Sequence, residues 1–280
     1  MGGRLQVVTV DPRPGIASVF SKVAETYDRV GVGFFSVFGK QLVEDANLRP
    51  SDRVLDVGCG GGAVLFPAAA AVEPSGSVVG IDLAPGMVDR TTQEIRERGL
   101  TNVRVEIMDA QEPALPPGTF DVVMASFVVF FLPDPVAGLR AWHEVLVPGG
   151  RLAMTTFAGD DPRFRWQQSV FAPYAPPGIQ RPQHTGPFGS TDGVHGLLGQ
   201  AGFVDQITTV REHTVVFDSP EHWLSWSMSQ GQRAFWDRMS DDDRHRVRAQ
   251  VGNLLASMAE PDGSIVLHQG VRYTLAYRSA

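Results

Sequence analysis

The 280-residue sequence has one cysteine, Cys59, and two lysines, Lys22 and Lys40. A single thiol forms no internal disulfide, and no paired Cys/His spacing accompanies it. A disulfide framework and a structural metal site are both argued against. No apolar run approaches the roughly 18–20 residues that a membrane helix needs, so stable membrane insertion is not expected. The first fifteen residues lack the apolar core of a signal peptide, and the expected location is the cytoplasm. Positive charge is scarce as well. Net charge is −7, whereas a nucleic-acid partner calls for a basic face, so DNA and RNA are poor candidates.

What is present is the composition of a folded globular chain, 43% hydrophobic and 20% charged, which rules out global disorder. The 22 arginines against two lysines, with abundant Ala, Gly and Pro, match the usage of a GC-rich bacterial genome. The length suits one large domain, or a core domain with an appendage.

Residues 16–43 carry a helical pattern through Val19, Phe20, Val23 and Tyr27, broken at Gly31 and Gly33. From residue 53 the rhythm changes. Short apolar runs at 54–57, 78–81, 103–107, 122–125 and 151–157 read as strands, and 62–71, 85–98 and 136–146 read as helices between them. Strands that are apolar throughout and alternate with helices predict an α/β fold with a mostly parallel sheet, buried on both faces. Pro67 is expected to weaken or kink the first of these helices. Residues 158–187, rich in Pro, Gly and Arg, are too long for a plain connector and read as a lid or inserted substrate loop. A helix at 191–201, a strand at 203–217, helical sequence over 219–258 and a closing strand at 264–277 complete the chain.

The most informative segment is VLDVGCGGGA, residues 54–63. A strand runs into Gly58, Gly60, Gly61 and Gly62, and a helix follows. Glycines there permit a tight turn and close approach of a ligand to the backbone, and the helix start offers free N–H groups. Taken alone this is only a loose dinucleotide fingerprint. Asp56, two residues before Gly58, would repel a pyrophosphate but suits a ligand bearing an ammonium group. Asp82 ends the second strand, where a carboxylate accepts both hydroxyls of a ribose. Leu83 and Met87 offer apolar surface to a flat base, although Met87 would pack in a core without one. Asp109 ends the third strand, placed to accept from an exocyclic amine. Cys59 reads as a small buried residue, since no cationic neighbour is visible.

Together these elements resemble the class I S-adenosylmethionine-dependent methyltransferases over about residues 49–157. The front end VFSKVAETYDRV resembles the ubiquinone/menaquinone C-methyltransferase-like group of small-molecule enzymes. The resemblance implies a doubly wound, seven-stranded Rossmann-like sheet. It divides the chain into an N-terminal helical lid (1–48), a cofactor-binding core (49–157), and an inserted lid, helical cap and closing strands (158–280). It also implies that Asp56, Gly58, Cys59 and Gly60 frame the methionine moiety of S-adenosylmethionine, and that Asp82 holds its ribose. Leu83 and Met87 would flank adenine, Asp109 and Ala110 would meet the adenine amino edge, Ser126 would lie beside the methionine portion, and Tyr27 would close over the cofactor.

The acceptor is less legible. Many relatives carry a histidine soon after the fourth strand, where this chain has Phe130 and Phe131. Among seven histidines, His184 in the expected lid is the candidate base, with Tyr27 a second catalytic candidate. Aromatic residues, among them Phe34, Phe35, Phe127, Phe130, Phe131, Phe164, Trp166, Trp223, Trp226 and Trp236, suggest an apolar acceptor, prenyl, aromatic or polyketide-like, methylated on carbon or oxygen. A homo-oligomer is compatible with the sequence. Two further readings stand beside this one. One is a cyclase on a cofactor-binding methyltransferase fold. The other is a nicotinamide-dependent oxidoreductase, disfavoured by Asp56 and by the shortage of lysines.

Overall fold

A computed structural model of the chain describes residues 13–176 and 186–280. Two N-terminal helices, α1 (Arg13–Val23) and α2 (Phe34–Ala46), precede an alternating series. That series runs β1 (Arg53–Val57), α3 (Leu65–Val72), β2 (Ser77–Asp82), α4 (Pro85–Glu97), β3 (Val103–Ile107), β4 (Phe120–Ser126), α5 (Pro135–Val145) and β5 (Leu146–Gly159). The remainder comprises α6 (Trp166–Phe171), α7 (Thr191–Gln200), β6 (Val204–Phe217), α8 (Pro220–Met228), α9 (Arg233–Trp236), α10 (Asp241–Ala256) and β7 (Ile265–Tyr277).

The strands form one seven-stranded sheet in the order β3-β2-β1-β4-β5-β7-β6. The first five are parallel, with Val54 opposite both Val78 and Val122, and β7 is antiparallel to β5 and β6. The apolar runs form these strands because both faces are covered. Val54, Leu55 and Val57 are fully buried, and the core they belong to includes residues of α2, α3, α5, α7 and α10. Trp142 on α5 is fully buried and satisfies its indole by donating Nε1–H to the Ala110 carbonyl at 2.7 Å. The chain steps outward from β1 to β3 and then returns to lay β4 against β1. That reversal opens a crevice at the carboxyl ends of β1 and β4, the place where open α/β sheets bind ligands.

Some expectations are corrected. α3 begins at Leu65, not Gly62, so Pro67 falls in the first helical turn, where its missing N–H has no intrahelical partner to lose. The fifth strand starts at Leu146, before the Pro148-Gly149-Gly150 turn, and Gly149 N–H is held by the Arg278 carbonyl at 3.1 Å. The helical stretch 219–258 is three helices. Ser219 caps α8, accepting the His222 N–H, and Ser240 caps α10, accepting the Asp243 N–H.

Candidate active site

The glycine-rich loop leaves β1 in a conformation that side chains resist. Gly58 and Gly60 have φ of 64° and 48°, in the left-handed region, and a Cβ on Gly58 would lie 2.5 Å from a methyl of Val128. The end of β2 ties the loop down. Asp82 accepts the Gly60 N–H on one carboxylate oxygen and the Ala84 N–H on the other, each at 2.9 Å. Thr91 on α4 donates to the Gly60 carbonyl at 2.7 Å. Asp82 is thus both the candidate ribose ligand and the strut that shapes the loop.

Asp56 lies at the floor of this loop, 1% exposed. It accepts the Leu65 backbone N–H, while its Oδ2 has no hydrogen-bond partner. Burial, and next the negative charge of Asp82, push the Asp56 carboxyl well above its ordinary range. The negative charge of Asp82 disfavours ionisation of Asp56, and a ligand's ammonium group would offset that. Cys59 is buried and free, and burial with Asp82 and Asp56 holds its thiol far from ionisation. It fills space beside Gly80 and is no nucleophile.

Tyr27, in the turn after α1, lies across the loop, with ring carbons 3.8 Å from where a Cβ on Gly60 or Gly61 would sit. Its ring stacks on Phe35 at 5.1 Å and meets the edge of Phe20 at 5.7 Å. Burial, then Asp28 and Asp82, raise the phenol well above its usual value. Its position between the loop and Phe35 suits a ring that covers the cofactor space.

The remaining expected residues gather around the same crevice with partners of their own. Met87 is buried among Val23, Ala24 and Ala84, so α1 covers it. Leu83, which follows β2, is partly buried. Asp109 is turned toward Arg13 of α1, 2.7 Å away, and accepts the Gln111 N–H. The neighbouring Ala110 presents its carbonyl to Trp142. Ser126 shares a 3.0 Å hydrogen bond with Thr155 at the ends of β4 and β5. His184 lies outside the described residues.

Next to Ser126 the structure adds a residue that sequence reasoning had placed only among many aromatics. Phe127 has φ of 57°, a left-handed conformation that costs a non-glycine residue about 1–2 kcal/mol. Its N–H is held by the Thr155 hydroxyl at 3.1 Å, and its ring packs 4.4 Å from Phe157 and 5.5 Å from Phe38. The turn directs Phe127 into a cavity of about 270 Å³. Phe34, Phe35, Phe130, Phe131, Phe164 and Trp226 line that cavity as expected, and Phe20, Phe157 and Phe235, not among the aromatics expected there, line it too. Trp223 and Trp236 belong to the hydrophobic core, and Trp166 packs on Trp223 at 5.6 Å instead of lining the cavity. Tyr27 lines it too, so one ring touches both the glycine loop and the apolar space. No histidine or lysine lines the cavity among the described residues.

A methyltransferase-domain family model matches residues 54–150. The aklanonic acid methyltransferase DauC of Streptomyces sp. is 43% identical over 161 residues, 58% of this chain and 73% of that one. The nocamycin O-methyltransferase of Saccharothrix syringae is 37% identical over 246 residues, 83% of this chain and 88% of that one. The chain belongs to the S-adenosylmethionine-dependent methyltransferases. The fold agrees with that of the YcgJ protein from Bacillus subtilis. The TM-score is 0.60 at 17% identity, covering 87% of this chain and 99% of that one.

The enzyme is thus a methyltransferase with S-adenosylmethionine as its cofactor, and the oxidoreductase reading is set aside. The residues present fit that cofactor. The unpartnered Asp56 Oδ2 answers a positively charged amino group, and the open backbone at Gly58 and Gly60 allows close approach.

Proposed function

We propose that this methyltransferase acts in the cytoplasm of a bacterium on an apolar, polyketide-type small molecule and transfers the methyl group to an oxygen. The observation that carries the reading is Tyr27, whose ring covers the glycine loop on one side and lines the aromatic cavity on the other. Donor and acceptor spaces therefore share a wall. Two relatives support the acceptor class, one named for an acid and the other an O-methyltransferase. No helix among the described residues is long and apolar enough to cross a membrane.

When bound, S-adenosylmethionine supplies a methyl group on a positively charged sulfur. The protein's own part is placement. Asp56 and the Gly58–Cys59–Gly60 backbone hold the methionine end, with Ser126 beside it. Asp82 takes the ribose, Leu83 and Met87 border adenine, and Ala110 with Asp109 meets the amino edge, in competition with Arg13. Phe127, Phe130 and Phe157, which line the cavity, would hold the acceptor beside the bound cofactor and keep water out. Positioning of this kind supplies much of the acceleration in a displacement between two bound partners.

An acceptor oxygen that is already ionised, such as a carboxylate or an acidic phenol, would need no base. The cavity lining holds no histidine or lysine among the described residues, and its proton-accepting side chains are the carboxylates Asp160 and Asp161, beside Arg165. For a less acidic hydroxyl, His184 is the proposed base. A pH–rate inflection near neutrality that vanishes in His184→Ala supports that role, and an unchanged profile removes it.

The test is incubation with trideuteromethyl-labelled S-adenosylmethionine and a panel of carboxylated and hydroxylated polycyclic aromatics, with products read by mass spectrometry and NMR. Label on oxygen supports the reading. Label on carbon overturns the oxygen assignment. Conversion of an acceptor while the cofactor stays intact would instead indicate cyclase chemistry.

A further inference from the structure

The aromatic cavity also has polar lining. Beside Asp160, Asp161 and Arg165, five glutamines line it: Gln167 and Gln168 of α6, Gln230 and Gln232 between α8 and α9, and Gln269 of β7. So many neutral amides against an aromatic wall is unusual for a purely apolar ligand, because each desolvated amide group left without a partner is costly.

Two of these amides have defined polarity. Gln269, 7% exposed, spends both Nε2 protons on backbone carbonyls, Gly159 at 2.9 Å and Gly270 at 3.0 Å. Its Oε1 has no partner among the described residues, so what Gln269 offers a ligand is an acceptor. Gln167 is the opposite case. Its Oε1 accepts from Gln232 Nε2 at 3.2 Å, which leaves its own Nε2 protons available. Gln232, also 7% exposed, is held in turn by its backbone N–H to Gln230 Oε1 at 3.3 Å. Gln167 therefore offers a donor from a braced amide.

We propose that Gln167 and Gln269 form an oxygen-reading subsite for the methyl acceptor, Gln167 donating to a carbonyl and Gln269 accepting from a hydroxyl. The ligand class is an aromatic ring system that bears both groups. The proposal deepens, and rests on, the reading of the cavity as the acceptor site. These are specificity residues and take no part in the methyl step.

The test is calorimetric titration of the S-adenosylhomocysteine-saturated protein with naphthalene, 2-acetylnaphthalene and 2-naphthol. The three probes share one ring system and differ in the polar group. Wild type should bind the ketone and the naphthol about fivefold more tightly than naphthalene, the gain of one neutral hydrogen bond. Gln167→Leu should abolish the advantage of 2-acetylnaphthalene and spare that of 2-naphthol. Gln269→Leu should do the reverse. Equal binding of all three probes by wild type overturns the subsite while leaving the apolar acceptor reading intact. The same holds if either substitution, in a variant whose circular dichroism spectrum and melting temperature match the parent's, weakens all three probes alike. Failure of all three to bind overturns the subsite together with that reading.

Discussion

Asp82 accepts the Gly60 backbone N–H at 2.9 Å, joining the end of β2 to the loop that leaves β1. The same carboxylate is the proposed ribose ligand, so loop shape and cofactor contact depend on one side chain. Asp82→Ala removes a buried charged acceptor from two N–H groups as well as the ribose contact. Cofactor binding should weaken by about 3 kcal/mol or more, on the scale of a charged hydrogen bond plus an unsatisfied donor. Asp82→Asn, which keeps one acceptor oxygen, should lose less. Equal losses for the two variants in a titration with S-adenosylhomocysteine would contradict this order.

Asp56 sets stability against function. Its carboxyl is raised well above the ordinary range by burial and by Asp82. A carboxyl raised in the folded state favours folding below its unfolded value, and that contribution is lost as pH rises through the folded value. Asp56→Asn should therefore be more thermally stable than the cofactor-free parent. The gain should grow as pH increases from the unfolded carboxylate range through neutrality. Cofactor affinity should fall in the same variant, because the ammonium loses its charged partner. Thermal melts across pH check the first part, and a gain that shrinks with rising pH would contradict it.

Gly58→Ala meets two obstacles, a φ of 64° and a Cβ 2.5 Å from Val128. Cofactor binding should be lost or nearly so. Val128→Ala in the same chain opens the space but leaves the backbone strain, so it should restore part of the affinity. Full restoration in a binding titration would show that crowding alone was responsible.

Phe127 supplies an inverted expectation. Deleting a buried ring costs about 3–5 kcal/mol, but glycine at φ of 57° also relieves about 1 kcal/mol of backbone strain. Phe127→Gly should therefore be less destabilised than Phe127→Ala, by about 1 kcal/mol. In an ordinary strand the order is the reverse. Urea unfolding of the two variants decides the order.

The legibility of this chain in its sequence follows from how local each signal is. Val54 to Val57, the glycines that follow and Asp82 are read from neighbours a few residues away, and the strands, the parallel sheet and the loop emerge as expected. The aromatic residues are different, because a ring's destination depends on what packs against it from distant elements. Trp223 and Trp236 entered the core, whereas Phe20 and Phe157 entered the cavity, and no spacing distinguishes the two cases. Pro67 shows the same limit for backbone. The glycine turn occupies residues that had looked helical, and the proline moved into the harmless first turn as a result. The left-handed turn at Phe127 had no sequence signal at all, since asparagine or glycine is the usual occupant of such a position.

The most direct measurement is isothermal titration of the purified protein with S-adenosylhomocysteine and, separately, with NADH, repeated on Asp82→Ala. The account predicts saturable binding of S-adenosylhomocysteine to the parent, loss of that binding in the variant, and no binding of NADH to either. Binding of NADH with none of S-adenosylhomocysteine would contradict the cofactor site described here, as would S-adenosylhomocysteine affinity that Asp82→Ala leaves unchanged.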